Sequence, residues 1–425
     1  MAKENKSSKS IACAGIVHRG FESIAETEIK EILGKECEIK DKSPSVVLFN
    51  AKSPQSIAKL AYKCHSMSRV LLAFAEFKMS KTSCSAKPAT PDTVSLIKKN
   101  MDEEALLFWL KNKSFRVNCE HDTDTFSSQD IAERTGALII DKTNARADMT
   151  SPDVIVHVHI CGGRCVAGID FCGFDMSKRE YKIYSHPGSL NGAVAYCLLR
   201  SAGFDKCKTI LDPLCGSGII PIEAALFASG ISPNYFRKDK FAFHKLINFN
   251  LDDLEKEKKQ DEEKKCPGKK TKEIAKIKNE QITSKKSAEK KDIKKPIQIF
   301  CSDHLLSCIK AAKNNAKIAG AEKLISFSKT DIDWIDTRYD EGSIDVIAAN
   351  PPPDSKHANK KAVERVYKEL FNQAKYVLKK NGAMAVILYQ TELFKSCIGG
   401  FELFSETEIY QGKQKLFVLV LKKPQ

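Results

Sequence analysis

The chain has 425 residues, with 69 Lys and Arg against 54 Asp and Glu, and so a formal charge of +15 at pH 7. That length supports two or three domains with sizeable cores, and the basic balance points to a polyanionic partner. No run of 18 apolar residues exists, which excludes a spanning helix, and the 15 cysteines lack a C-x-x-C pair and read as reduced thiols in a cytoplasmic protein with no membrane partner.

Residues 1–9 are polar and lysine-rich with no apolar core behind them, and are expected to form a disordered tail. Ile11–Val17 is a short apolar strand. Phe21, Ile24, Ala25, Ile29, Ile32 and Leu33 then recur at helical spacing up to Gly34, a suitable cap. Val46–Phe49 reads as a strand, Ser53-Pro54 opens a helix toward Cys64, and Arg69–Phe77 is a further strand. The order suggests a β-α-β-β-α-β, ferredoxin-like unit over residues 10–78. Residues 79–92 are rich in Ser, Lys, Pro and Thr and read as a linker. A helix within 93–111, a strand at 115–120, a helix over Ser127–Ile140 and paired strands at Val154–Cys161 and Cys165–Phe171 complete a second α/β unit, ending near 175. His157, His159 and Cys161 alternate with Val156, Val158 and Ile160 and share one strand face, with Cys165 near. A polar outer face is expected there, and no metal.

After a connector at 176–187, strands alternate with helices from 188 to 425, as in a parallel α/β sheet of the Rossmann-like kind. A helix is expected over Ser189–Arg200, and Lys208–Leu226 reads as strand, glycine turn, helix. Later strands fall at Ile297–Cys301, Leu324–Phe327, Ile344–Ala349 and Met384–Leu388, a long amphipathic helix at Lys361–Lys379, and a closing hairpin at Phe401–Ile409 and Gln414–Leu421. Residues 255–295 hold 16 lysines against 9 acidic residues, a net of +7 that leaves +8 for the rest of the chain. This stretch has almost no bulky apolar residue and is expected to be a disordered insertion. Tyr235, Phe236, Arg237 and Lys238 suit either RNA contact or local packing.

The glycine turn narrows its own ligand. Pro221 stands where a dinucleotide fingerprint has its third glycine, and no Walker loop follows a strand. Asp212 opens the turn, and a carboxylate there suits a cationic amino group better than a pyrophosphate. Asp212-Pro213-Leu214-Cys215-Gly216-Ser217-Gly218, followed by Pro221-Ile222-Glu223-Ala224-Ala225, resembles the first cofactor motif of S-adenosylmethionine-dependent methyltransferases, in the form found in RNA guanine-N2 methyltransferases. The resemblance implies a class I methyltransferase domain. Asp212, Pro213, Cys215, Gly216, Ser217 and Gly218 would then shape the cofactor turn, and Ser185, His186, Pro187 and Asn191 would close over the methionine end. Asp303, beside His304, would take the ribose hydroxyls, and Asp331, beside Ile332, the adenine amino group.

Asn350-Pro351-Pro352-Pro353 resembles the [DN]-P-P-[YF] motif of methyltransferases that modify exocyclic amino groups. An aryl amine is a poor nucleophile because its lone pair is delocalised. Two acceptors, the Asn350 side-chain oxygen and the Pro351 carbonyl, can hold both N–H groups and aim a pyramidal nitrogen at the methyl group. Position 353 departs from the motif, since Pro replaces the aromatic that stacks on the base. Ser114–Cys119, Phe126–Ile131, Ser151–Val158 and Ala167–Phe171 together resemble a THUMP domain, an RNA-binding module of tRNA-modifying enzymes, and the unit at 10–78 resembles its usual companion. The expectation is a monomeric tRNA guanine-N2 methyltransferase acting at acceptor-stem position 6. Its rivals are a tRNA position-10, ribosomal RNA or adenine-N6 enzyme and a catalytically silent tRNA-binding protein.

Overall fold

The computed structural model describes residues 10–79, 90–122, 127–185, 188–251, 298–354 and 359–423. The tail at 1–9, most of the linker, His186, Pro187 and the insertion at 255–295 lie outside them. Met1–Ile247 with Ile297–Gln425 forms one unit and Asn248–Pro296 another, and only the first is considered below.

The first sheet holds β1 (Ile11–Val17), β2 (Cys37–Ser43), β3 (Val46–Ala51), β4 (Met67–Lys78), β5 (Ser114–His121), β6 (Arg146–Ala147), β7 (Val154–Cys161) and β8 (Arg164–Asp170), in the order β2-β3-β1-β4-β8-β7-β5-β6. The first four strands, with α1 (Glu22–Leu33) and α2 (Pro54–Lys63), follow the ferredoxin-like order. Ser53 caps α2 by accepting from Ser56 N, and Pro54 sits in the first turn, where its missing N–H costs nothing. β4 pairs antiparallel with β1 on one edge and with β8 on the other, so the two expected units share one sheet. The helix expected over 93–111 is two helices, α3 (Thr90–Asn100) and α4 (Glu103–Leu110), because Asp102 leaves the helical path and caps α4 through Ala105 N at 3.0 Å. Ser127 caps α5 (Ser128–Thr143), which packs on β5.

This sheet is strongly curled. Arg164 on β8 reaches Asp41 on β2 at 2.5 Å although three strands lie between them. A flat sheet would hold those strands about 19 Å apart. The curl overturns one expectation: His157 and His159 are not on a polar outer face but are 0% and 7% exposed inside the concavity. Cys165 pairs with Ile160 and faces the other side.

The second sheet holds β9 (Ile210–Asp212), β10 (Ile299–Asp303), β11 (Ile325–Lys329), β12 (Ile344–Ala349), β13 (Leu378–Leu388), β14 (Glu402–Gln411) and β15 (Gln414–Lys422), in the order β11-β10-β9-β12-β13-β15-β14. β9 to β13 run parallel, and β15 lies antiparallel to β13 with β14 outermost. The continuous apolar run of β15 suits the inner place, and the glutamates of β14 suit the edge. The intervening helices are α6 (Gly192–Ser201), α7 (Ile219–Ser229), α8 (Phe243–Leu246), α9 (Leu306–Ile318), α10 (Lys360–Val377) and α11 (Glu392–Ser396). Val363, Tyr367, Leu370, Phe371, Ala374 and Val377 of α10 bury one face against β12 and β13. Among the described residues no helix is long and apolar enough to cross a membrane.

Candidate active site

The parallel strands end on one edge, where the topology reverses between β9 and β12, and the glycine turn lies there. Gly216 and Gly218 take φ of 52° and 79°. Side chains rarely adopt that region, and a Cβ on Gly218 would lie 2.6 Å from the Ala312 Cβ of α9. Cys215 N donates to Ser302 O at 3.0 Å, and Pro213 is buried beside it. Asp303 accepts from Gly216 N at 2.9 Å with one oxygen and from Leu305 N at 2.9 Å with the other. It therefore ties the turn to the second strand and holds Leu305, the residue before α9, and its remaining lone pairs suit hydroxyl donors. The His304 ring stands half-exposed, 3.4 Å from Asp303.

Asp212 is the residue of the turn suited to face a cation. It is 1% exposed; one oxygen accepts from Leu214 N at 3.2 Å, and the other has no hydrogen-bond partner among the described residues. Burial, and then the Asp303 charge, push its carboxyl well above the usual carboxylate range. A cationic ammonium beside that orphaned oxygen would restore the ionised form. The donor set fits the amino-acid end of S-adenosylmethionine.

The residues just after the connector close the site from one side. Ser189 Oγ lies 2.9 Å from Ser217 Oγ, and Asn350 Nδ2 donates to Gly188 O at 2.9 Å. With its amide nitrogen committed, Asn350 keeps Oδ1 as an acceptor. Pro352 O receives the buried Tyr367 hydroxyl at 2.7 Å, which braces the proline loop against α10. Ser185 is exposed at the connector's edge, and Pro353 is exposed at the loop's tip. Asn191 caps α6 through Ala193 N at 3.0 Å, and its Nδ2 donates to Ser177 Oγ rather than to the turn. Asp331 is exposed and caps a short turn containing the buried Ile332, while Asp333 pairs with Arg365. Arg237 resolves toward packing: it is buried, donates to Asn234 Oδ1 and Met176 O, and stacks on Phe174 at 4.0 Å.

Two residues of the site carry no sequence signal of their role. Asn315 of α9 is fully buried; its Oδ1 accepts from Tyr184 N, and its Nδ2 donates to Tyr184 O and Ser217 O, at 2.8–3.0 Å. One amide thus clamps the connector onto the cofactor turn. Asn315→Ala strands buried polar groups at a cost of about 1–3 kcal/mol. A roughly tenfold loss of S-adenosylmethionine affinity by calorimetry is the expected result, and unchanged affinity would contradict the clamp.

Glu223, one turn into α7, is the second. Its fully buried carboxylate accepts from Arg179 Nε at 2.7 Å and Nη2 at 3.1 Å, from Tyr181 Oη at 2.6 Å and from His65 Nδ1 at 3.1 Å. His65 belongs to the turn before β4, and Arg179 and Tyr181 to the connector. Burial alone would raise this carboxyl, but the Arg179 charge and the hydrogen bonds from His65 and Arg179 outweigh it and hold it at about 2.

Residues 179–418 match the family model described as RMKL-like, methyltransferase domain, and residues 93–170 match the THUMP domain. The tRNA (guanine(6)-N2)-methyltransferase of Methanocaldococcus jannaschii is 28% identical over 95% of this chain and 98% of its own length. The enzyme of the same description from Archaeoglobus fulgidus is 28% identical over 67% of this chain and 63% of its own length. Ribosomal RNA large subunit methyltransferase K/L of Vibrio parahaemolyticus is 28% identical over 58% of this chain and 31% of its own length. Among solved structures, TrmN from Thermus thermophilus superposes with a TM-score of 0.64 over 97% of this chain and 99% of its own, and a possible methylase from Clostridium difficile with 0.71 over 98% and 99%, each at 20% identity. With its glycine turn, its Asn-Pro-Pro loop and its THUMP-bearing first half, the chain belongs to the RMKL-like methyltransferase family.

Proposed function

We propose that the chain transfers a methyl group from S-adenosylmethionine to the exocyclic N2 of a guanosine in tRNA, at acceptor-stem position 6. The observation that carries the reading is the committed amide of Asn350, held by Gly188 beside the cofactor turn, in a chain collinear with a relative of that printed activity. Residues 10–78 and 79–175 present the RNA, 176–187 join the halves, and 188–425 hold the chemistry.

S-adenosylmethionine, when bound, supplies an electrophilic methyl group. Asp212 faces its ammonium, Gly216 and Gly218 let the backbone approach, and Asp303 and Asp331 take the nucleoside. Asn350 Oδ1 and Pro351 O accept the two N–H groups of the target amine and restore lone-pair character to its nitrogen. Once the nitrogen has become cationic its proton leaves without a dedicated strong base.

The base stack absent at Pro353 falls to Tyr389. Ala349 pairs with Val386 across β12 and β13, and Asn350 and Tyr389 each directly follow the end of those strands, at the same edge of the sheet. Ala349, Val386 and Leu388 belong to the core under α10, and Tyr389 is partly exposed. Tyr389→Ala then costs about 1–3 kcal/mol of base binding, read as a roughly 5- to 150-fold rise in KM for tRNA, while Tyr389→Phe stays near wild type. Equal KM values for all three proteins would remove the stack.

The reading itself is tested by incubating unmodified tRNA with the full chain and labelled S-adenosylmethionine, then mapping the product by mass. N2-methylguanosine at position 6 is the expected result. N6-methyladenosine, or binding without transfer, would overturn it.

A further inference from the structure

The concave face of the first sheet holds a polar cluster that the methyl-transfer site does not use. Glu120 on β5 and His157 and His159 on β7 offer three donor atoms within 4.8 Å of one another. His157 is completely buried, yet neither Nδ1 nor Nε2 has a hydrogen-bond partner among the described residues; the Glu120 carboxylate lies 3.7 Å from Nε2. A buried imidazole with both nitrogens unpaired is costly and calls for an occupant.

His159 has its tautomer set by its neighbours. Ser45 Oγ donates its single proton to Val17 O at 2.6 Å, so at 3.2 Å from His159 Nε2 it can only accept. Nε2 therefore carries the proton, and Nδ1 presents a bare lone pair, again with no partner among the described residues. That arrangement, one ring nitrogen held by an outer oxygen while the other keeps its lone pair, is how metal-binding histidines are prepared. Two imidazoles two positions apart on one strand face, with a carboxylate from the next strand, make a nitrogen- and oxygen-donor set of the kind zinc takes.

The surrounding charge agrees. Arg69 also approaches Glu120, at 3.5 Å, but its charge is matched by the fully buried Asp170 at 2.6 Å. Glu120 and nearby Asp122, which accepts from Cys161 Sγ and Gly162 N, leave two negative charges over for a dication.

We infer that Glu120, His157 and His159 bind one zinc ion, with a fourth position open to water. The donor atoms draw together by about 1 Å or more to reach a tetrahedral separation near 3.4 Å, which rotation of the half-exposed Glu120 and of the rings supplies. The ion staples β5 to β7 inside the curl and gives one nitrogen of His157 and Nδ1 of His159 a partner.

The full chain, stripped with a chelator and dialysed, is titrated with zinc alone and its metal content measured. One ion per chain is expected in the wild type, and none in the His157→Gln, His159→Gln double variant. Ser45→Gly suits that residue's φ of 68° and removes only the outer hydroxyl, so it tests the site without disturbing the ligands. A 10- to 100-fold weaker affinity is expected for it. Cobalt substitution gives an independent readout, since nitrogen and oxygen donors lack the thiolate charge-transfer band that binding at the cysteines would produce. No stoichiometric zinc in the wild type, an undiminished Ser45→Gly, or a thiolate band retained in the double variant would each overturn the site.

Discussion

Asn350→Ala lowers the rate of methyl transfer by about 100- to 1000-fold, the range seen when one preorganised partner of a reacting group is removed. The cofactor affinity of this variant stays close to wild type. The side chain spends its Nδ2 on Gly188 O and keeps Oδ1 as the acceptor proposed for the target amine, so its loss removes that acceptor, while Asn315 still clamps Tyr184 of the connector onto the glycine turn. Asn350→Asp keeps the acceptor but sets a carboxylate oxygen against the Gly188 carbonyl, so it should fall between wild type and Ala. Single-turnover rates with saturating cofactor and tRNA separate this loss from a binding defect. A fully active Asn350→Ala would refute the assignment of this loop to the chemistry, whichever nucleotide is modified.

The second large effect is on stability. Arg179→Ala leaves the Glu223 carboxylate buried without its charge partner, a change that costs about 3–5 kcal/mol. That is a large share of the total stability of a domain, so the urea midpoint drops markedly, and it drops for the THUMP-bearing half and the catalytic half together, because Arg179 and Tyr181 of the connector join Glu223 of α7, which also holds His65 of the first half. The pH dependence follows from the depressed carboxyl. Glu223 stabilises the fold fully above its unfolded value near 4.5, and the contribution is lost as pH falls from there through the folded value of about 2. The gap between wild type and Arg179→Ala is therefore widest at neutral pH and narrows below about 4.5. A gap of equal size at pH 7 and pH 3 would mean that packing, not charge, holds the network.

Much of the catalytic half is legible in the sequence because its signals are local. A strand, two glycines at positive φ and an apolar helix lie within Lys208–Leu226, and the Asn-Pro-Pro loop follows its strand directly. Helical spacing likewise identifies the buried face of α10, and Ser53 and Ser127 mark helix starts by the side-chain oxygens they lend to them. The missed break at Asn100–Asp102 has a local signal too, an Asp three residues before a fresh apolar run.

Other features depend on residues far apart in the chain. Nothing in Val154–Cys161 says whether its histidine face looks outward, since alternation is the same in a flat sheet and in a curled one. Glu223 reads as part of a helix and Asn315 as an ordinary polar residue, until Arg179 and Tyr184 arrive from the connector.

The sequence by itself determined the class of fold, the glycine turn and the Asn-Pro-Pro loop, because each is written in consecutive residues whose backbone preferences and chemistry need no distant partner. Only the tertiary structure decided that the two N-terminal units share one curled sheet, that Glu223 locks that sheet to the cofactor helix, and that Glu120, His157 and His159 meet in its hollow. Strand pairing, burial and charge neutralisation are set by the closure of the chain over long separations, and no short stretch of residues encodes that closure.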